Sequence, residues 1–164
     1  MFKLASDGTE TVLYAFQGGT DEELPEAGLI ADSAGHLYGT TEFGGSTGAG
    51  TVFEVSPSGA ETVLYSFLAG NDGANPEAGL IVDKTGNLYG TTYSGGGTRC
   101  NRFGCGVAFK LAPDGTETLM YDFDKDSRGR HPAAGLLLDK KDFFYGTTPL
   151  GGHENNGVVF RLRK

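Results

Sequence analysis

Cys100 and Cys105 lie five residues apart in a Gly-rich stretch, YSGGGTRCNRFGCG at 93–106, and are the two cysteines of the chain. As a disulfide they would close a small loop and contribute about 2 kcal/mol by the loop-entropy argument, which fits an oxidising compartment. Free thiols are the alternative. A metal site is not expected, because C-x4-C brings no second ligand pair and no nearby His. The pair would staple a loop rather than react.

Oxygen ligands are the next candidates. Asp21, Glu22, Glu23 and Glu26 cluster in one segment, and Asn71, Asp72, Asn75 and Glu77 in a second of the same kind. Such hard donors could hold Ca2+. Their spacing matches no EF-hand loop, however, and the third such segment carries Arg128, Arg130 and His131 instead. Solvated loop charge is the expected reading, with no cofactor. Asp32, Asp83 and Asp139 each follow an apolar run and open a turn, so turn-capping is expected of them. His36, His131 and His153 occupy unlike positions and form no repeated ligand set.

No G-x-S-x-G nucleophile elbow is expected among the serines, and no Gly-rich passage leads from a strand into a helix. The chain is therefore read as non-catalytic. What remains is an aromatic and polar set, Phe43, Tyr93, Arg99, Asn101, Arg102 and Phe103, of a kind that contacts a sugar or a peptide. Ordinary packing is the competing account.

The elements that must position these residues repeat. Run A is GLIAD, GLIVD and GLLLD at 28–32, 79–83 and 135–139; run B is LYGTT, LYGTT and FYGTT at 37–41, 88–92 and 144–148. Run C is GTVFEV, GVAFKL and GVVFRL at 50–55, 106–111 and 157–162, with a clipped FKL at 2–4. Run D is ETVLYAF, ETVLYSF and ETLMYDF at 10–16, 61–67 and 117–123. The period is 51 residues from Tyr38 to Tyr89 and 56 from Tyr89 to Tyr145, the extra residues falling in the loop that carries the cysteines.

Short β-branched or aromatic runs bounded by Gly, Asp, Asn and Pro predict strands. Tight turns with Gly at positive φ join A to B and C to D as antiparallel neighbours. Four such strands in a period of ~40–50 residues make the blade of a β-propeller. The expected blades are 27–67, 78–123 and 134–162, the last completed by the N-terminal strand 10–16, which leaves FKL redundant. The long B–C and D–A loops must share one rim, where a ligand is expected.

GTVFEVSPSG followed by ETVLYSF, with PEAGLI and NLYGTT further on, resembles the GloVer-type tandem repeat of bacterial proteins. More loosely the pattern is similar to an NHL-like blade. The resemblance implies a β-propeller in an extracellular or cell-surface place, and it carries no catalytic residues over to these positions.

A net charge of −8 argues against a nucleic-acid partner. No apolar run approaches the ~20 residues that span a bilayer. The first residues, MFKLASDG, already belong to the repeat, so no signal peptide is expected; the chain reads either as an intracellular protein or, preferably, as a piece of a longer, exported one. Three blades would stand about 120° apart, whereas propellers usually have four to eight blades. The expected partner is therefore a second copy, closing a six-bladed ring with two-fold symmetry. A three-bladed monomer and a fragment of a longer propeller are the other solutions. The expected function is a scaffold or binding module for a glycan or protein, on the long-loop rim or in the central channel. The alternatives are a purely structural repeat and a carbohydrate-active hydrolase or lyase, which would need two converging carboxylates.

Overall fold

The computed structural model describes residues 1–18, 24–100, 102–124 and 128–164. Apart from one 3-10 turn at His153–Asn155, its regular elements are all β-strands. β1 (Phe2–Leu4) and β2 (Glu10–Val12) form a ribbon. β3 (Ile30–Ala31), β4 (Leu37–Thr41), β5 (Thr51–Val55) and β6 (Glu61–Ser66) form a four-stranded sheet in chain order. β7 (Ile81–Val82), β8 (Leu88–Thr91), β9 (Val107–Leu111) and β10 (Glu117–Asp122) form a second of the same order, and β11 (Leu137–Leu138), β12 (Phe143–Thr148) and β13 (Val158–Arg163) a three-stranded third. All pairs are antiparallel.

One expected pairing is replaced by another. Strand 10–16 does not complete the third sheet within the chain; Glu10–Val12 pairs with FKL, Phe2 lying opposite Val12 and Leu4 opposite Glu10. The reason is proximity. A tight turn with Gly8 at φ 86° joins the two strands, and closing so short a loop costs less entropy than recruiting a strand distant in sequence.

The A–B turns are capped by their aspartates. In each, Oδ1 accepts the amides two and four residues on. The other oxygen accepts a B-strand hydroxyl, from Tyr38 at 3.3 Å, Tyr89 at 2.9 Å or Tyr145 at 3.2 Å. Where the third turn lacks Gly, Asp142 takes the left-handed conformation with φ 61°. Burial presses the Asp83 carboxyl upward, but bonds from Thr85, Asn87 and Lys164 outweigh it and hold the group far below the usual carboxylate range. Lys164 Nζ, 3.0 Å from Asp83 Oδ2, also ties the third sheet to the second.

Sheets are joined by aromatic side chains. Phe16, Phe67 and Phe123 each meet a C-strand ring of the following sheet edge-on: Phe53 at 5.3 Å, Phe109 at 5.2 Å and Phe160 at 5.0 Å. A tyrosine two residues earlier braces each of the three. The C-strand ring in turn lies over the bare glycine of the B strand. A Cβ on Gly90 would come 2.8 Å from Phe109 Cζ and 2.9 Å from Leu80 Cδ2. Gly39 and Gly146 are covered in the same way by Phe53 and Phe160. The A strands converge as well, since a Cβ on Gly79 would stand 3.3 Å from the Gly28 carbonyl and one on Gly135 3.5 Å from that of Gly79.

Gly90→Ala should therefore overpack the second sheet and lower its stability by about 1–3 kcal/mol in denaturant unfolding. Gly39→Ala should cost a comparable amount, because its Cβ would come 2.6 Å from Cζ of the fully buried Phe53, even though the exposed Leu29 can move aside. A second expectation concerns Glu117, whose Oε1 is buried with no partner among the described residues. Burial, then the nearby Asp72, pushes this carboxyl from 4.5 up to about 7. The folded chain thus holds a proton that the unfolded chain releases, so stability falls as pH rises from about 4.5 through about 7. In Glu117→Gln that slope should flatten when urea midpoints at about pH 5 and about pH 8 are compared, leaving the smaller share from Glu42 and Glu77.

Candidate functional site

The long loops share one side of the molecule, because they are bonded to each other. Asn75 N–H donates to the Ala49 carbonyl at 2.8 Å, and the Asn75 carbonyl accepts Tyr93 N–H at 2.9 Å. His131 N–H donates to the Cys105 carbonyl at 2.7 Å, one sheet further on. Leu24, Asn75 and His131 hold the same repeat position, each before a proline, with φ of 55°, 54° and 56°. At the last two, the left-handed turn aims the side chain at the preceding sheet's loop. Asn75 Nδ2 reaches the Glu42 carbonyl at 3.3 Å, and His131 Nδ1 the Tyr93 carbonyl at 2.8 Å. A carbonyl only accepts, so Nδ1 carries the imidazole proton. The same ring stacks on Tyr93 at 4.5 Å.

Cys100 and Cys105 are joined as a disulfide in the longest B–C loop. Within that loop Phe103 N–H donates to the Cys100 carbonyl at 3.0 Å, Arg102 N–H to Thr98 at 3.2 Å, and Gly95 N–H to Phe103 at 2.6 Å. The amides of Thr98 and Arg99 donate to the Asp124 carboxylate at 3.0 and 2.8 Å. Asp124 lies near both sulfurs, but with the sulfurs bonded to each other no thiolate is left to hold an ion.

This pinned loop forms one wall of a shallow cleft of about 220 Å3, lined among others by Thr47, Asn75, Ser94, Arg102 and Phe103. The predicted residues thus divide. Arg102 and Phe103 face the cleft, and Phe103 is 75% exposed. Tyr93 is committed to His131 at the next junction, Arg99 is exposed with its amide on Asp124, and Phe43 does not line the cleft. Asn101 lies outside the described residues, as do Asp21, Glu22 and Glu23. Thr47, Asn75 and Ser94 were not anticipated as lining residues; the aligned X-Pro position of Leu24, Asn75 and His131 is the signal that could have found Asn75.

Other polar groups are accounted for locally. Asp72 turns inward, accepting Tyr65 O–H at 3.1 Å, Leu68 N–H at 2.7 Å and Gly70 N–H at 3.2 Å, so it is spent on its own loop. Gly44–Gly48 spells G-x-S-x-G, yet Ser46 lies in an exposed loop between two strands, without the helix an elbow requires. Nearby, burial and then Glu42 and Glu26 raise the Glu77 carboxyl, while burial and then Glu26 raise Glu42. Among the described residues no helix is long and apolar enough to cross a membrane.

No curated protein sequence matches the chain. Among solved structures it is similar to the X-ray structure of a protein provisionally named a gluconolactonase, at 14% identity and a TM-score of 0.56. The match covers 96% of this chain and 54% of that one, so the chain spans about half the length of the solved structure. At this identity the likeness is one of fold, all-β and propeller-like. The model of the Gloeobacter/Verrucomicrobia repeat matches residues 1–164, and the chain belongs to that repeat family.

Proposed function

We propose that this chain is a non-catalytic, extracytoplasmic binding module, half of a six-bladed propeller closed by a second copy, with a carbohydrate held in the Phe103 cleft. The observation that carries the reading is Phe103 itself. Its ring is 75% exposed on a backbone fixed by a disulfide and by loop hydrogen bonds. An aromatic face presented on a rigid loop contacts a ligand at little cost in conformational entropy, and the C–H face of a sugar ring fits it. Arg102 supplies a cation, and Asn75, Ser94 and Thr47 supply polar atoms around the ring. A cleft of about 220 Å3 is smaller than the roughly 300–1,000 Å3 of drug-sized sites, which suits one sugar residue of a longer glycan. The disulfide supports an oxidising location. The likeness to a structure nearly twice as long supports the half-ring.

A hydrolase is the second reading. It is favoured by the raised carboxyls of Glu42 and Glu77 and by the name given to the similar solved structure.

On a glycan array followed by calorimetry, Phe103→Ala should weaken binding roughly tenfold or more while leaving the unfolding midpoint unchanged. Silence of the unmodified protein across a broad glycan panel would remove the carbohydrate reading and favour a structural repeat. Turnover of a lactone, abolished by Glu77→Gln, would replace it with the hydrolase. Reducing the Cys100–Cys105 disulfide should lower stability by about 2 kcal/mol, accelerate exchange of the Gly95 amide and weaken glycan binding along with it.

A further inference from the structure

Among the described residues β13 has β12 on one side and no strand on the other. Val159 is 77% exposed there. Beside this edge runs a groove of about 460 Å3, lined by Tyr121, Phe123, Arg128 and residues 158–162. In the two complete sheets a D strand fills the corresponding space. Glu61, Thr62 and Tyr65 lie opposite Val55, Glu54 and Val52, and Glu117, Thr118 and Tyr121 opposite Leu111, Lys110 and Ala108. Gly152, on the groove, corresponds to Gly96, where an added Cβ would meet Asp122 of the D strand. At the other end of the chain the shortage is reversed. β2 is a D strand paired over three positions to a C strand, exposed at every residue of both, and a lone two-stranded ribbon is marginal in water.

We propose that β13 of one copy takes the place of β1 beside β2 of a second copy, so that each seam of the ring is a strand exchanged between chains. This rests on the two-copy ring proposed above. The complete sheets give the register: Leu162 opposite Glu10, Arg161 opposite Thr11, Phe160 opposite Val12, Val159 opposite Tyr14 and Val158 opposite Ala15. β1 already pairs at this offset, with Lys3 opposite Thr11, so the exchange replaces a strand without shifting the ladder and lengthens it by two pairs.

Charge favours the same occupant. In the second sheet Glu117 is repelled by Asp72. In the next loop Arg128 stands at the position of Asp72, so a Glu10 brought into the slot meets a cation where its counterpart meets an anion.

The test is a chain carrying Thr11→Cys and Arg161→Cys, oxidised under mild conditions. Disulfide-linked dimers are expected on a non-reducing gel. Val12→Cys with Arg161→Cys should stay unlinked, because a one-residue slip turns the side chains to opposite faces. Independently, Arg128→Glu should weaken the dimer roughly tenfold, and adding Glu10→Arg should restore it. A link formed within one chain would overturn the second copy as occupant. A dimer by mass that neither links nor responds to the charge swap would overturn the exchange and leave the ring standing. The mass of a single chain, 17.2 kDa, at every concentration would overturn both.

Discussion

No sheet of this chain buries its own C-strand phenylalanine unaided. Phe53 and Phe109 are fully buried because Phe16 and Phe67 of the preceding sheet or ribbon close over them, and because the glycine beneath leaves room for the ring. Phe160 has both of these supports, Phe123 above and Gly146 below, yet it remains only partly buried. What it lacks is a strand along the outer edge of β13. The comparison separates two contributions that coincide elsewhere: the aromatic contact between sheets, and the covering D strand within a sheet. Stability in such an array is a sum over neighbours, so whatever ends the array is left with one contribution unmet.

Much of this was legible in the sequence because the repeats state it several times. The position of Asp32, Asp83 and Asp139 at turn openings announced their capping role. The pairing of β2 was not legible in the same way. Two equivalent C strands compete for it, and the composition of ETVLYAF cannot rank a near partner against a far one; loop-closure entropy does. The site was half legible. Cys100, Cys105, Arg102 and Phe103 stood out because they break the repeat. The stacking of Tyr93 on His131 was not legible, because its partner comes from a loop 38 residues away. The inward turn of Asn75 depends on a left-handed backbone before Pro76, a conformation that the residue preceding a proline ordinarily avoids.

That division has a physical basis. Positions identical in all copies are those that neighbouring sheets force on one another, and a ligand cannot be recognised by a surface already committed to packing. In the binding reading proposed above, recognition falls to residues outside the periodic contacts. In this chain those are concentrated in the B–C loop of the second sheet, where the insertion is pinned at its base by a disulfide and by Asp124. The pins matter as much as the insertion. A longer loop without them would collapse Phe103 onto the apolar rim or leave it mobile, and either would forfeit the presented face.

The two ends of the chain are not built alike. β1 is exposed at all three residues. β13 alternates partly buried and exposed positions, carries Arg161 over the Phe143 ring at 4.7 Å, and leads into Lys164, whose ammonium reaches Asp83 in the sheet before. An unpaired edge bearing Arg161, Arg163 and Lys164 resists indiscriminate pairing with other edges, yet its backbone is held straight and in place by those same contacts. A firm, cationic edge at one end and the fully exposed FKL strand at the other are unequal competitors for the β2 ladder in the proposed exchange. Where β1 and a second copy's β13 contend for β2, β1 has the shorter loop to close, while β13, anchored by tertiary contacts, carries less ordering entropy into the pairing; the exchange proposed above requires the second term to be the larger.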